Sequence, residues 1–291
     1  MSQAIRILDG PVGTQLTDRG VRTTLPQWSA PAIESHPELL SQIHRDYADA
    51  GATIHTANTF RTKPTDVGHR WKALTHRAVQ IARSSVPSNH MIAGSLSPLA
   101  DCYRPDLSPI ISSATDCLQA HRVMAHQLAE SGCDWIFCET FPRVDEATLA
   151  VKAGIETQLP IAVGFTAGPE ATLITPAEMA EGARRCADEG AQVVMVNCTA
   201  ATHITPYVQA IADQKLGIII GAYANAGQVD DGIGWRSNAG YAREAAERYA
   251  DLAMQWHQAG AAWLGGCCGT SPQHIAELAS RFQTSETNDD G

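Results

Sequence analysis

Several features that would assign this chain to a class are missing from it. No apolar run reaches the roughly 18 residues of a membrane-spanning helix. The longest, such as GIIIGAYA from Gly217, are strand-sized. The opening MSQAIRILDG has a single basic residue and no apolar segment of the signal-peptide kind. Basic side chains are in deficit, 21 against 31 acidic ones, for a net charge of −10. That excludes the basic footprint on which sequence-independent nucleic-acid binding depends. No G-x-G-x-x-G phosphate loop follows the first apolar run, where Asp9-Gly10-Pro11-Val12-Gly13-Thr14 stands instead. None of the eleven histidines falls in H-x-H or H-E-x-x-H, so a histidine-based zinc hydrolase has little support. No Pro/Gly/Ser-rich stretch reads as an interdomain linker.

What is present is a globular balance, 44% hydrophobic and 18% charged, and an alternating pattern. Short apolar, β-rich runs lie at 6–9, 53–58, 91–95, 135–139, 161–166, 192–198, 217–222 and 262–265. The segments between them carry helical spacing. Over 37–50, Leu39, Ile43 and Tyr47 recur every four residues and Leu40 widens the stripe. Thr175-Pro176-Ala177-Glu178 has the form of a capping box with proline at the first helical position. Gly51, Gly132, Gly190 and Gly260 each stand between a helical segment and a strand, where a left-handed C′ residue is wanted. Strict β/α alternation implies a parallel sheet. Eight units imply a closed (β/α)₈ barrel spanning residues 1–283, with a flexible acidic tail at 284–291. A doubly wound open sheet is the alternative.

In such barrels the chemistry lies on loops at the C-terminal strand ends. Asp9, Asn58, Glu139, Cys198, Asn225 and the run Gly265-Gly-Cys-Cys-Gly-Thr270 all fall there. Adjacent residues of a regular strand point to opposite faces. Cys267 and Cys268 can therefore reach one centre only if the backbone leaves strand geometry, which the flanking glycines permit. A metal site is the favoured reading. A vicinal disulfide, disfavoured in a reducing compartment, and inert packing are the alternatives. Cysteine thiolates select zinc among common metals, and a catalytic zinc takes three protein ligands and keeps one position open. On the sixth strand Val194, Val196 and Cys198 share a face by alternation, and Cys198 ends the strand at the active end. That makes it the third ligand. Cys138, next to Glu139, points the other way; Cys117, Cys133 and Cys186 read as bystanders, and Cys102 stays undecided. A thiolate-rich zinc is a poor source of hydroxide. It suits activation of another thiol toward alkyl transfer.

At this point the chain resembles the homocysteine S-methyltransferase family. The motifs that carry the resemblance are Asp9-Gly-Pro-Val-Gly-Thr-Gln-Leu16, Asn58-Thr-Phe60, Gly94-Ser-Leu96, Tyr103-Arg-Pro-Asp106, Glu139-Thr-Phe141, Val196-Asn-Cys-Thr199, Asn225-Ala-Gly227 and Gly265-Gly-Cys-Cys-Gly-Thr270. They are spread over nearly the whole chain. The resemblance implies a zinc-dependent barrel that methylates homocysteine to methionine. It implies Cys198, Cys267 and Cys268 as zinc ligands, and Asp9 and Glu139 as holders of the homocysteine amino group. The backbone around Gly10 would receive the carboxylate, and Asn225 would stand near the metal. Pro11 departs from the family's usual Asp-Gly-Gly and removes one amide donor. Thr140 stands where some members carry a metal-proximal tyrosine.

The expected reaction is a single displacement by the homocysteine sulfur on a small cationic methyl donor. S-methylmethionine fits best; S-adenosylmethionine, betaine and dimethylsulfoniopropionate are alternatives. Cobalamin- and folate-dependent relatives have further domains for which a single barrel leaves no room, although a corrinoid protein acting in trans is a further alternative. Another thiol or selenol acceptor, and a non-catalytic zinc- or thiol-binding role, are the competing functions. Asn58 either shapes its loop or touches substrate. Trp235 either stacks on the donor cation or forms a hydrophobic lid, and Tyr103 and Arg104 have a comparable choice. Small-molecule partners, no nucleic acid, no membrane, a cytoplasmic setting and a monomer, or at most a weak homo-oligomer, complete the expectation.

Overall fold

The computed structural model describes residues 4–226 and 242–283. Eight parallel strands run in the order β1-β8-β7-β6-β5-β4-β3-β2. They are β1 (Arg6–Ile7), β2 (Ile54–Ala57), β3 (Met91–Leu96), β4 (Trp135–Phe141), β5 (Ile161–Phe165), β6 (Val193–Ala200), β7 (Ile219–Asn225) and β8 (Trp263–Gly266). The two ends of the sheet meet through a parallel bridge from Leu8 to Ile54. Asp9 N–H donating to Ile54 O (3.0 Å) and Thr53 N–H to Ile7 O (2.9 Å) close the ring. The fold is a single (β/α)₈ barrel, as the alternation implies.

The four glycines at helix ends do what their positions require: Gly51, Gly132, Gly190 and Gly260 all have φ between 92° and 121°. The capping box at Thr175 is fully formed, with both reciprocal bonds to Glu178. Strand bounds differ from the sequence expectation mainly at the functional ends. β1 is only two residues long and Asp9 lies beyond it; β4, β6 and β7 run further than the apolar runs suggest.

Two apolar layers form. The inner one fills the barrel with Leu8, Ile54, Ala93, Phe137, Ala162, Val193, Met195, Tyr223 and Trp263. Trp135 meets Phe137 and Trp263 edge-on, and Phe137 lies tilted against Trp263, with centroids 5.0–6.4 Å apart. Trp135 and Trp263 open β4 and β8, so this aromatic cluster lies toward the N-terminal strand ends. The outer layer packs strands against helices and includes Cys138, Val194 and Val196. No helix among the described residues is long and apolar enough to cross a membrane. Trp235, Gly227 and the 284–291 tail lie outside the described residues.

Candidate functional site

The open end of the barrel holds a cavity of about 340 Å³. Its walls include Asp9, Gly10, Asn58, Glu139, Cys198, Cys267 and Cys268. Seven of the sequence candidates are therefore brought to one place.

Cys198 arrives by a route that alternation does not give. Val194 and Val196 face the helices, so a regular strand would turn Cys198 outward with them. Instead the β6–β7 register shifts between Asn197 and Ala200, and Cys198 takes φ 48°. The bulge swings its thiol into the cavity. β4 does the same: its register with β5 shifts between Cys138 and Phe141, Thr140 has φ 67°, and Glu139 and Thr140 both line the cavity. The two bulges support each other. Asn197 Nδ2 donates to Thr140 Oγ1 (2.8 Å), which donates to Cys198 Sγ (3.9 Å). Left-handed backbone at non-glycine residues stores strain of about 1–3 kcal/mol and gathers at functional sites.

Cys267 and Cys268 leave β8 on a tight turn. Cys267 N–H donates to Ala224 O (2.8 Å), and Cys268 O accepts from Ala226 N–H (3.0 Å). Thr270 returns through its N–H (3.1 Å) and hydroxyl (2.9 Å) to Cys267 O. A methyl group on Gly266 would sit 2.1 Å from Thr270 Oγ1. Gly266→Ala is expected to force the turn open at about 1–3 kcal/mol, read by chemical denaturation. Unchanged stability would mean that the turn adapts freely.

The three thiols of Cys198, Cys267 and Cys268 lie within 4.8 Å of one another, and all eight cysteines are free. Hydrogen bonds from Cys198 and then Cys267 hold the Cys268 thiol well below the usual range. Bonds to Cys267 and Cys268, with burial, push Cys198 up. Cys198 and Cys267 thus favour the charged form of Cys268. Zinc bound by thiolates at about 2.3 Å in a tetrahedron needs sulfurs about 3.8 Å apart, so this triangle suits the ion. Asn225 is buried beyond the β6 bulge, paired with Ala200. Its Oδ1 has no hydrogen-bond partner among the described residues.

The carboxyls are equally specific. Asp9 Oδ2 accepts from Thr56 N–H at 2.8 Å; it caps no helix, since Pro11 is the N-cap of the helix Val12–Asp18. Glu139 meets no arginine among the described residues: it accepts from Ser95 Oγ and from Tyr223 OH (2.9 Å). Burial raises both carboxyls above the usual range. The Thr56 amide opposes the rise at Asp9 and Glu139 adds to it, while the two hydroxyls oppose it at Glu139. Ser95 and Tyr223 come from β3 and β7 and have no local sequence signal.

Asn58 lines the cavity, but its amide is occupied. Oδ1 accepts from Ser29 Oγ (2.6 Å) and Nδ2 donates to Ser29 O (3.0 Å). It thereby fixes the segment bearing Trp28, whose ring meets Phe60 edge-on at 6.3 Å. Tyr103, one of the donor-stacking alternatives, and Cys102, left undecided by the sequence, line the cavity, as do Trp28, Phe60 and Leu25, to which sequence reasoning assigns no such role. Arg104 is instead paired with Asp106 at the surface.

Behind Asp9 lies a second group. The ligand atoms of Asp9, His44 and His55 fall within 4.8 Å of one another. His44 has no hydrogen-bond partner at either ring nitrogen among the described residues, and His55 Nε2 is 3.0 Å from His90 Nδ1. His44 sits on the apolar stripe of the helix Pro37–Asp49, where periodicity assigns a hydrophobe.

A mouse (Mus musculus) S-methylmethionine–homocysteine S-methyltransferase is 25% identical over 88% of this chain and 72% of its own length. A homocysteine S-methyltransferase of Escherichia coli (strain K12) is 29% identical over 96% of each chain. The crystal structure of the homocysteine methyltransferase MmuM from Escherichia coli, in a metallated form, superposes with a TM-score of 0.78 at 25% identity, covering 96% of both chains. The family model for homocysteine S-methyltransferase matches residues 6–282, nearly the whole barrel. By that match the chain belongs to the homocysteine S-methyltransferase family and is a methyltransferase.

Proposed function

We propose that this enzyme transfers a methyl group to the sulfur of homocysteine, forming methionine, with zinc on Cys198, Cys267 and Cys268 and S-methylmethionine as donor. The carrying observation is that the three clustered thiols share one cavity with two buried carboxyls, Asp9 and Glu139. When bound, zinc supplies a Lewis acid that lowers the pKa of a coordinated thiol while thiolate ligands keep that sulfur nucleophilic.

The chain's own residues do the rest. Asp9 and Glu139 hold the substrate ammonium. Burial disfavours ionisation of both, and an entering cation replaces the lost solvation and favours their charged forms. Ser95 and Tyr223 aim the Glu139 carboxylate. The backbone at Gly10 receives the substrate carboxylate. The faces of Trp28 and Phe60 offer cation–π attraction to the donor sulfonium. The cavity aligns the homocysteine sulfur with the donor methyl. The new S–CH₃ bond forms as the donor S–CH₃ bond breaks and its electron pair stays on the donor sulfur. The thiol proton leaves to water. From S-methylmethionine both products are methionine. Eight free thiols suit a reducing compartment such as the cytoplasm.

The test is a donor panel of S-methylmethionine, S-adenosylmethionine, betaine and dimethylsulfoniopropionate, with methionine formation and zinc content measured together. Homocysteine, selenohomocysteine and cysteine are compared as acceptors. Strongest turnover from homocysteine and S-methylmethionine supports the reading; zinc-loaded protein inert toward every pair sinks it. Glu139→Gln is expected to raise the homocysteine KM about tenfold to a hundredfold with zinc content intact, because a charge-assisted contact becomes a neutral one. An unaltered KM would remove Glu139 from the ammonium site.

A further inference from the structure

The wall carrying Asp101, Cys102 and Tyr103 to the cavity is the segment after β3, residues 98–108. Unlike the walls made by strand ends, it has no sheet partner. Its inner order is local: Tyr103 N–H donates to Asp101 Oδ1 (2.8 Å) and Arg104 N–H to Asp101 O (3.0 Å). What holds the whole segment against the barrel is a pair of buried charges outside it.

Glu146, in the first turn of the helix Val144–Ile155, is 1% exposed. Its Oε1 accepts from Leu99 N–H (2.9 Å) and its Oε2 accepts from Ser108 Oγ. One carboxylate therefore grips both ends of the segment. Buried His121 backs it, with Nε2 3.4 Å from Oε1. These donors outweigh burial and keep the Glu146 carboxyl below the usual range. From the other side Lys63, 3% exposed, donates to Pro98 O (2.7 Å) and Ala100 O (3.4 Å). The carboxylate takes the segment's donors and the ammonium takes its carbonyls. Ser97 Oγ, one residue upstream, donates to Phe60 O (2.8 Å), which joins the segment to the aromatic side of the cavity.

A buried charge is costly to keep; replacing a whole buried ion pair by apolar residues is often neutral for stability, whereas removing one member strands its partners. Here an apolar residue would orphan the Leu99 amide and free the segment at both ends. We propose that Glu146 is a positioning residue for the methyl donor: it fixes the 98–108 segment so that Tyr103 and Cys102 close the cavity between Phe60 and the three thiols. Homocysteine's own contacts, Asp9 and Gly10 just beyond β1 and Glu139 on β4, do not depend on this grip. The inference rests on the two-substrate methyl transfer proposed above.

The experiment uses Glu146→Gln and the milder Ser108→Ala in the zinc-loaded enzyme. It reads amide hydrogen exchange, zinc content and KM for each substrate. Glutamine keeps one acceptor oxygen, so one end of the segment is released. Exchange across 98–108 is expected to speed up about tenfold with the other peptides unchanged. The donor KM should rise about tenfold, while homocysteine KM and zinc content stay within about twofold. Ser108→Ala should move the same two readouts less. The proposal is overturned if both KM values rise together, if the donor KM stays fixed while the segment loosens, or if exchange does not change. Failure of the unaltered enzyme to turn over any donor would refute the methyl-transfer reading instead, and the exchange result would still decide whether Glu146 holds the segment.

Discussion

Cys267→Ala is expected to lose bound zinc and methyl transfer together, with kcat/KM falling by about 10³ or more. The turn after β8 presents Cys267 and Cys268 side by side, and Cys198 reaches them from the β6 bulge. Two thiols remain after the substitution, one short of the set that a catalytic zinc takes from protein. The turn itself should survive, because Cys267 contributes its backbone N–H and O to Ala224 and Thr270, and alanine keeps both. Circular dichroism and denaturation should therefore be close to the unaltered enzyme while zinc, measured by atomic emission, disappears. Cys186→Ala is the matched control. That thiol packs between helices, 4.0 Å from Thr148 Oγ1, and burial pushes it up to about 12. Its loss should leave zinc and turnover in place at a modest stability cost. Full activity of Cys267→Ala without zinc would end the zinc reading.

Much of this arrangement is legible in the sequence, for identifiable reasons. Helix-to-strand punctuation by Gly51, Gly132, Gly190 and Gly260 is local chemistry, because only glycine takes those φ values without strain. The adjacent cysteines between glycines announce a break in strand geometry for the same reason. The route by which Cys198 reaches the cavity is not local. Cysteine and threonine carry no signal for left-handed backbone, so the bulges at Cys198 and Thr140 are invisible to a periodicity argument. Alternation even points Cys198 toward the helices, with Val194 and Val196. The residues that aim Glu139 are equally hidden: Ser95 and Tyr223 lie 44 and 84 positions away in sequence and meet it only when the barrel closes. Trp28 escapes notice because its loop is fixed by Asn58 and Ser29, a contact across 29 positions. The grip of Glu146 on Leu99 and Ser108 spans separate β/α units in the same way.

Lowering the pH from 7.5 toward 4.5 is expected to destabilise the metal-free protein, with buried imidazoles as a main cause. Burial lowers His44 to about 4 and His274 to about 4. Burial, then neighbouring His44 and His90, lowers His55 to about 3. Each ring stays neutral in the folded chain, whereas the unfolded chain takes up its proton below about 6.5. The stability these rings support is therefore complete above pH 6.5 and is lost as pH falls toward the folded values. Across that window each ring contributes a slope of about 1.4 kcal/mol per pH unit. Asp9 and Glu139 act in the opposite sense, since burial raises them and the folded chain holds protons that the unfolded chain releases. They offset part of the loss at the acid end. His274 isolates the imidazole effect. It is 4% exposed, its Nδ1 accepts from Ser271 N–H (3.2 Å), and its Nε2 has no partner among the described residues. In His274→Asn the amide oxygen can take the Ser271 bond and no group titrates. Denaturation series with chelator present, at intervals from pH 7.5 to 4.5, should show the variant's stability falling less steeply by one proton. Relative to the unaltered chain it should gain about 3 kcal/mol by pH 4.5. Parallel curves for the two proteins would mean that His274 is protonated in the fold and that its burial does not shape the acid limb.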